Sequence, residues 1–185
     1  PGSFDDYGRD VLALLDANDI ANCTFVGLSM GVPTGLAAMR FAPGRVSAFV
    51  AVDGVAKSAP GREAFWAERR TTAQAQGMAE IAAGTVARWL PEEPRDGGAS
   101  AMLREMVTAT SVEGYAAATE ALQSYDHSEA VAQIQCPFLG IAGALDGAMP
   151  DAMRTQFGAI PGAAFADIPN AGHLPNFQSP VAFNA

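Results

Sequence analysis

The stretch Thr24-Phe25-Val26-Gly27-Leu28-Ser29-Met30-Gly31 decides how the rest of the chain is interpreted. Residues 24–28 form an apolar run without polar alternation, which is typical of a strand buried on both faces. Beyond this stretch, apolar residues recur at helical spacing, and they include Leu36, Ala37, Met39 and Phe41. The stretch therefore predicts a strand, a tight turn and a helix, with Ser29 in the turn.

Ser29 lies in a pentapeptide of the pattern G-x-S-x-G. Between a strand and a helix, this pattern forms a sharp turn that exposes the serine hydroxyl above the sheet. We expect the turn to be too tight for side chains at Gly27 and Gly31. We also expect the N–H of Met30 to face the space where an oxyanion would develop, as part of an oxyanion hole. The simpler interpretation is a serine that caps the helix after a glycine turn.

Three further apolar runs extend the pattern along the chain: Val46 to Val52, Phe138 to Ala142 and the weaker Ala163 to Ile168. A helix is predicted over Ser3 to Asn18, ahead of the first strand. Apolar runs that alternate with helices are typical of a mostly parallel sheet whose connections cross it through helices. The predicted fold class is α/β.

About 80 residues separate the second and third apolar runs, which is far more than a crossover with one helix needs. Four helical patterns fill this interval: Arg62 to Met78, Ala79 to Leu90, Ser100 to Thr110 and Val112 to Ser124. They are broken most clearly at Pro91, Pro94, Gly97 and Gly98. We interpret residues 55–131 as a helical cap on an α/β core made of residues 1–54 and 132–185.

The composition describes a compact protein with few charges. Of the 185 residues, 49% are hydrophobic and 17% are charged, which excludes a disordered tail and a coiled coil. The formal net charge of −9 provides no positive field for phosphate backbones, so nucleic-acid binding is not expected. No apolar run has the length of a membrane span, and residues 1–10 lack the features of a signal peptide. We expect a cytoplasmic protein with no membrane partner, in which Cys23 and Cys136 stay reduced and half-buried.

A serine hydroxyl becomes a good nucleophile only when a base removes its proton, and imidazole is the usual base near neutral pH. Of the two histidines, His173 follows the last predicted strand and is the predicted base, whereas His127 is interpreted as a solvated or cap-lining residue. Asp146 follows the third apolar run and is the predicted acid that fixes the imidazole. Asp53 also ends an apolar run and is the rival acid, although a turn residue before a glycine is the simpler interpretation.

The order serine, acid, histidine is that of hydrolases with a nucleophile elbow. Other chemistries find little support in the sequence. There is no Cys/His cluster with metal-ligand spacing and no G-x-G-x-x-G between a predicted strand and helix, so neither a metal nor a cofactor is expected.

Taken together, these residues resemble the α/β-hydrolase superfamily, and more narrowly the 3-oxoadipate enol-lactonases of aromatic catabolism. The narrower resemblance includes Gly27 to Gly31, Val55-Ala56-Lys57, Gln76-Gly77-Met78-Ala79, Arg88-Trp89, Ala109-Thr110 and Glu113-Gly114-Tyr115, and then Ile141-Ala142-Gly143, Ile160-Pro161-Gly162-Ala163, His173-Leu174, Asn176 and Pro180. The chain departs from that family at Val32-Pro33-Thr34 and at Gly147-Ala148-Met149-Pro150. These departures affect the choice of substrate and not the three predicted catalytic residues.

The resemblance implies the opening of a small enol-lactone ring through an acyl-enzyme. Such a substrate carries a carboxylate, so an acidic protein needs a local cation in its pocket. Lys57 and Arg88, with Trp89 beside it, are the candidate substrate-binding residues. The alternatives are a carboxylesterase of different substrate and a non-catalytic binding module or incomplete fragment of the same fold.

The resemblance also implies that further strands precede Pro1 and that a final helix follows Ala185. The second oxyanion donor of the fold would then lie ahead of this chain. The strand over residues 24–28, central in the family, is expected to become an unpaired edge.

Overall fold

The computed structural model of the chain describes residues 2–93 and 97–185, so the predicted break at Pro94 lies outside the described residues. Its first half follows the predicted order closely. Helix α1 (Phe4–Ala17) leads to strand β1 (Cys23–Leu28), helix α2 (Gly31–Phe41) and strand β2 (Val46–Val52). Ser3 caps α1 because its hydroxyl accepts a hydrogen bond from the N–H of Asp6 at 3.2 Å.

Helices occupy the interval after β2, as the sequence predicts. They are α3 (Arg62–Gln76), α4 (Met78–Trp89), α5 (Gly98–Thr108), α6 (Val112–Gln123) and the short α7 (Ser128–Val131). Gly77 separates α3 from α4 with a φ of +84°, a conformation that favours glycine. We call α3 to α6 the inserted helices.

The last part of the chain completes the sheet. Its elements are strand β3 (Phe138–Gly143), helix α8 (Met149–Phe157), strand β4 (Ala164–Ile168) and the short helices α9 (Pro175–Gln178) and α10 (Pro180–Phe183). Helix α8 lies in a segment for which the sequence pattern gave no prediction. Pro150 lies in its first turn, where a missing N–H costs nothing, and Met153 and Phe157 anchor the helix in the core.

The four described strands pair in the order β1-β2-β3-β4, and all pairs are parallel. The α/β prediction is therefore confirmed. Leu28 pairs with Val52, Val52 with Ile141, and Gly143 with Ile168, so the strands end at nearly the same level. The segments that leave these ends meet along one edge of the sheet, which we call the carboxyl edge. The strand before Ser29 is an edge strand of the described sheet, as predicted.

The main core lies between the sheet and helices α2 and α8. Phe49 packs between Phe25 and Phe138, with ring centroids 5.5 and 5.9 Å apart, and Phe157 lies 4.9 Å from Phe138. Each fully buried side chain of this size stabilises the fold by about 1.5–3 kcal/mol. The core thus fixes the strands whose ends carry the predicted chemistry.

Cys23 and Cys136 are both free and half-buried, as expected. Within the described residues, no helix combines the length and the apolar character needed to cross a membrane.

Candidate active site

Ser29 occupies a strained turn between β1 and α2. Its φ is +54°, in the left-handed region that non-glycine residues rarely adopt. The Ser29 N–H donates a hydrogen bond to the Val52 carbonyl at 2.8 Å, which ties the turn to the neighbouring strand. Strain of this kind is typical of functional positions and agrees with the predicted exposure of the serine hydroxyl.

Of the two glycines that the sequence predicts to be sterically required in this turn, only one is crowded. A Cβ at Gly27 would lie 2.5 Å from the carbonyl oxygen of Gly31, so the prediction holds at that position. At Gly31 the prediction is wrong, because a Cβ there would meet no atom within 4 Å. The second close approach occurs at Gly54, after β2, where a Cβ would lie 2.5 Å from the Ser29 carbonyl oxygen. Glycine is required at position 54 because the chain there passes close to the turn after β1, a contact that the pentapeptide sequence does not reveal.

The structure brings Ser29, His173 and Asp146 together at the carboxyl edge. The Ser29 Oγ lies 2.8 Å from Nε2 of His173, and Nδ1 of His173 lies 2.7 Å from Oδ2 of Asp146. When Nδ1 carries the proton and its N–H donates a hydrogen bond to the Asp146 carboxylate, Nε2 is free to accept the serine proton. The side chains of His173 and Asp146 are only 12% and 16% exposed, which protects both hydrogen bonds from competing water.

The loop that carries His173 is fixed to the sheet and to the inserted helices at the same time. A Cβ at Gly143 would lie 1.9 Å from the Gly172 carbonyl oxygen, so only glycine at the end of β3 lets this loop pass. The His173 N–H donates to the Trp89 carbonyl at 3.0 Å. Gln178 accepts from the Gly172 N–H at 2.8 Å and donates to the Pro91 carbonyl at 2.7 Å. The Trp89 ring also lies 5.2 Å from the imidazole.

Asp53, weighed above as a rival acid or a turn residue, lies inside this site at the bend after β2. The residue is 0% exposed and has a φ of +41°. Its Oδ1 accepts a hydrogen bond from the Gly143 N–H at 2.9 Å, whereas its buried Oδ2 has no partner among the described residues. Burial raises the pKa of Asp53 to about 8, and the neighbouring Asp146 carboxyl adds to the effect against the opposing hydrogen bond from Gly143. The shift favours the protonated, neutral form of the Asp53 carboxyl.

Asp53, Asp146 and His173 offer one oxygen or nitrogen atom each within 4.8 Å of one another, which raises the question of a metal site. Both imidazole nitrogens are already engaged, with Ser29 and with Asp146. Oδ1 of the buried Asp53 already accepts a hydrogen bond from the Gly143 N–H at 2.9 Å, whereas a hard cation usually takes about six or more oxygen ligands. These donors fit a hydrogen-bond relay better than they fit a metal.

A cavity of about 370 Å³ opens above Ser29, between the carboxyl edge and the inserted helices. The residues predicted for the site that line it are Ser29, Met30, Lys57, Arg88, Trp89, Asp146 and His173. Among the hydrogen bonds formed by residues 2–93 and 97–185, none uses the N–H of Met30. That N–H is thus available beside Ser29 for an acceptor in the cavity.

The cations of the cavity differ from one another in whether their charge is already balanced. Lys57 is exposed and pairs with Asp126 at 2.7 Å, so its charge is neutralised locally. Arg88 keeps contact with solvent and forms no ion pair with a described carboxylate; its guanidinium carbon lies 5.1 Å from the centroid of the Phe65 ring. Burial, followed by repulsion from Arg69 and Arg62, lowers the pKa of Arg88.

Arg62 is a cavity residue that the sequence analysis missed. It lies at the start of α3, lines the cavity, and has its guanidinium 4.3 Å from the Phe65 ring centroid. Like Arg88, it has no carboxylate partner among the described residues. Nothing in its local sequence distinguishes it from a solvated helix residue, since its place in the cavity wall depends on how α3 packs against α4 and α6.

His127 corrects an expectation. Its polar neighbours in sequence predict a solvated or cap-lining residue, yet it is only 7% exposed. It packs edge-on against Phe4, with ring centroids 6.1 Å apart, and burial lowers its pKa. It does not line the cavity, so its polar neighbours in sequence were a poor guide to its surroundings.

Comparison with known proteins agrees with this geometry. The Alpha/beta hydrolase family matches over residues 1–185. A 3-oxoadipate enol-lactonase 2 from Acinetobacter baylyi is 31% identical over 186 residues, which is 100% of this chain and 69% of that protein. A second enol-lactonase of that organism, 3-oxoadipate enol-lactonase 1, is 34% identical over 149 residues, covering 78% of this chain and 54% of the relative.

Solved structures give the same result. A hydrolase from Pseudomonas aeruginosa PA01 superimposes with a TM-score of 0.89 at 34% identity, covering 99% of this chain and 69% of that one. The enol-lactonase from Burkholderia xenovorans LB400 gives a TM-score of 0.89 at 31% identity, covering 98% and 70%. With the elbow, the parallel sheet and the full-length family match in agreement, this chain belongs to the alpha/beta hydrolase family.

Proposed function

We propose that the protein is a serine hydrolase that opens small esters or lactones through an acyl-enzyme. The observation that carries the proposal is the chain of hydrogen bonds from Ser29 through His173 to Asp146, with distances of 2.8 and 2.7 Å. Nucleophile, base and orienting acid are within reach of one another beside a cavity that a small substrate can enter. The strained φ of Ser29 further supports a nucleophile at that position.

In the proposed reaction, Ser29 Oγ attacks the substrate carbonyl carbon while its proton passes to Nε2 of His173. The Met30 N–H stabilises the resulting oxyanion. The carbon–oxygen bond of the ester or lactone then breaks, and His173 returns the proton to the leaving group. A water molecule, deprotonated by His173, releases the acyl group and regenerates Ser29. Asp146 holds the imidazole in the required tautomer throughout.

The substrate we propose is a small enol-lactone that carries a carboxylate. The relatives reported above include 3-oxoadipate enol-lactonases at 31% and 34% identity. Arg62 and Arg88 line the cavity without carboxylate partners among the described residues, although the chain has a net charge of −9. Two unbalanced guanidinium groups favour an anionic ligand, because a carboxylate replaces the water they lose on burial with charged hydrogen bonds.

We also propose that residues 55–131 act as a cap over the core of residues 1–54 and 132–185. The cavity walls support this division, since α3 contributes Arg62 and Trp66 and α4 contributes Arg88 and Trp89. The core supplies the groups proposed for chemistry, and the cap supplies those proposed for substrate choice.

The test is covalent labelling of the folded protein with a fluorophosphonate probe, which reacts with activated serines. We expect stoichiometric labelling that disappears in Ser29→Ala. Ser47→Ala is the matched control, because Ser47 is an exposed serine of β2 whose hydroxyl only donates to the Cys23 carbonyl. Folded parent protein that resists the probe would contradict the proposal and favour a non-catalytic module of this fold.

A further inference from the structure

The structure contains a buried carboxyl group that the mechanism above does not use. Asp53 directly follows β2, and its carboxyl group lies within 4.8 Å of Asp146 and His173, which follow β3 and β4 along the chain. Its side chain is excluded from solvent, and one oxygen, Oδ2, has no hydrogen-bond partner among the described residues. Leaving a buried carboxylate oxygen without a partner is costly, so the group calls for an explanation.

The charges around Asp53 determine whether its carboxyl group is more stable ionised or neutral. One of its oxygens lies within 4.8 Å of the acid and of the imidazole at the site, Asp146 and His173. Asp167 on β4 adds a negative charge at longer range, partly balanced by Arg154 at 2.9 Å. Lys57, Arg62 and Arg88 lie across the cavity. Two ionised carboxylates beside one imidazole would repel each other in a region with little water.

A proton on Oδ2 removes this conflict. The hydroxyl of the neutral acid can donate a hydrogen bond toward the Asp146 carboxylate, while Oδ1 keeps the hydrogen bond that it accepts from the Gly143 N–H at 2.9 Å. The otherwise unpartnered oxygen is then satisfied, and one negative charge remains to face His173. The direction of the pKa shift, upward through burial, agrees with this arrangement.

We infer that Asp53 is a positioning residue, which as a neutral carboxylic acid donates a hydrogen bond to Asp146 and holds it against His173. This inference rests on the proposed function of Ser29, His173 and Asp146. From the sequence, Asp53 is a rival for the role of Asp146, whereas in this arrangement the two carboxyl groups act together. No bond is formed or broken at Asp53, and its proton stays in place during turnover.

The first measurement needs no substrate. In protein labelled with ¹³C at aspartate carboxyl carbons, the Asp53 signal, assigned by its loss in Asp53→Asn, should titrate near pH 8. A midpoint near pH 4 would overturn the inference whether or not the protein is a hydrolase. Parent protein that titrates as expected but hydrolyses no ester would contradict the proposed function alone.

The second measurement is the pH profile of kcat and KM with a neutral ester such as p-nitrophenyl acetate. Asp53→Ala should lower kcat by about tenfold to a hundredfold with little change in KM, because Asp146 loses a hydrogen bond. Asp53→Asn should restore most of that loss, because its amide can still accept from Gly143 and donate to Asp146. In the parent, kcat should fall as pH rises through about 8 and Asp53 ionises, and this fall should be absent in Asp53→Asn.

Asp167→Asn is the matched control, because it removes another carboxylate near the site that is exposed and paired with Arg154. It should keep the kcat of the parent and its decline above pH 8. Equal pH profiles for the parent and Asp53→Asn would overturn the inference. If Asp53→Ala does not fold, the comparison between the parent and Asp53→Asn still decides the question.

Discussion

The carboxyl edge of the sheet and the wall formed by α3 and α4 face each other across one cavity, yet they are built in opposite ways. At the edge, Ser29, His173 and Asp146 are held by short hydrogen bonds and by glycines that let the loops approach closely. On the wall, Arg62 and Arg88 rest against the Phe65 ring and have no described carboxylate partner. The three groups of the edge are hydrogen-bonded to one another, whereas the two guanidinium groups of the wall have no described carboxylate to balance their charge.

The difference separates two tasks. Chemistry needs groups fixed to within a fraction of an ångström, which strand ends and tight loops provide. Selection of an anion needs charge of the right sign at the cavity, which flexible arginine side chains on helices can supply. We therefore expect changes at the edge to lower the rate with every substrate, and changes on the wall to act through the charge of the substrate.

The largest effect is expected at the edge, from His173→Gln. Loss of the base should lower kcat by about 10⁶-fold for charged and neutral substrates alike, the scale observed when the histidine of a serine triad is removed. Steady-state kinetics with an anionic lactone and a neutral ester measure this. His127→Gln, which changes the other histidine, should retain activity because that residue does not line the cavity. If His127→Gln lost as much activity as His173→Gln, the assignment of His173 as the base would be contradicted.

A smaller effect, again at the edge, is expected from Gly143→Ala. The added Cβ would lie 1.9 Å from the Gly172 carbonyl oxygen, so the loop that carries His173 must move. We expect the free energy of unfolding to fall by about 3 kcal/mol, with activity lowered as well. Urea denaturation measures the free energy of unfolding, and hydrolysis of a neutral ester measures the activity.

Gly84→Ala is the matched control on α4, because a Cβ there meets no atom within 4 Å. It should raise the free energy of unfolding by up to about 1 kcal/mol through helix propensity. A stable and fully active Gly143→Ala variant would show that the edge tolerates more displacement than its contacts suggest.

The smallest effect is expected on the wall, from the double variant Arg62→Gln/Arg88→Gln. KM for an anionic lactone should rise about tenfold, because hydrogen bonds between charged groups are lost, while KM for a neutral ester should stay nearly constant. Arg9→Gln is the matched control, since Arg9 also lies over an aromatic ring, that of Phe41 at 4.5 Å, but outside the cavity. Equal changes for both substrates would contradict an anion-selecting wall.

Much of the carboxyl edge could be predicted from the sequence. The apolar runs located all four described strands to within one residue, and the order of Ser29, Asp146 and His173 placed the three groups that the structure brings together. Strand ends of a parallel sheet meet at one edge, so residues that follow them are neighbours whatever their separation in sequence. The same reasoning located the helices after β2 but could not say which of their faces meets the cavity.

The incorrect and missing predictions from the sequence all concern the surroundings of a side chain in the folded protein. Gly31 was expected to be sterically required and His127 to be solvated, whereas Gly31 has open space and His127 is buried. Arg62 was overlooked, and Asp53 was weighed as a rival acid or a turn residue. In each case the outcome depends on what packs against the residue from a distant part of the chain.

The sequence by itself determined the α/β class and the positions of the strands, because periodicity and turn chemistry are local. The chain order also pointed to the serine, the acid and the histidine that we propose for catalysis. Only the tertiary structure decided that Asp53 lies buried beside Asp146 and that Arg62 and Arg88 face Ser29 without described partners. Burial and electrostatic environment are properties of neighbours in space, and a raised pKa or an unbalanced charge exists only once the chain has folded.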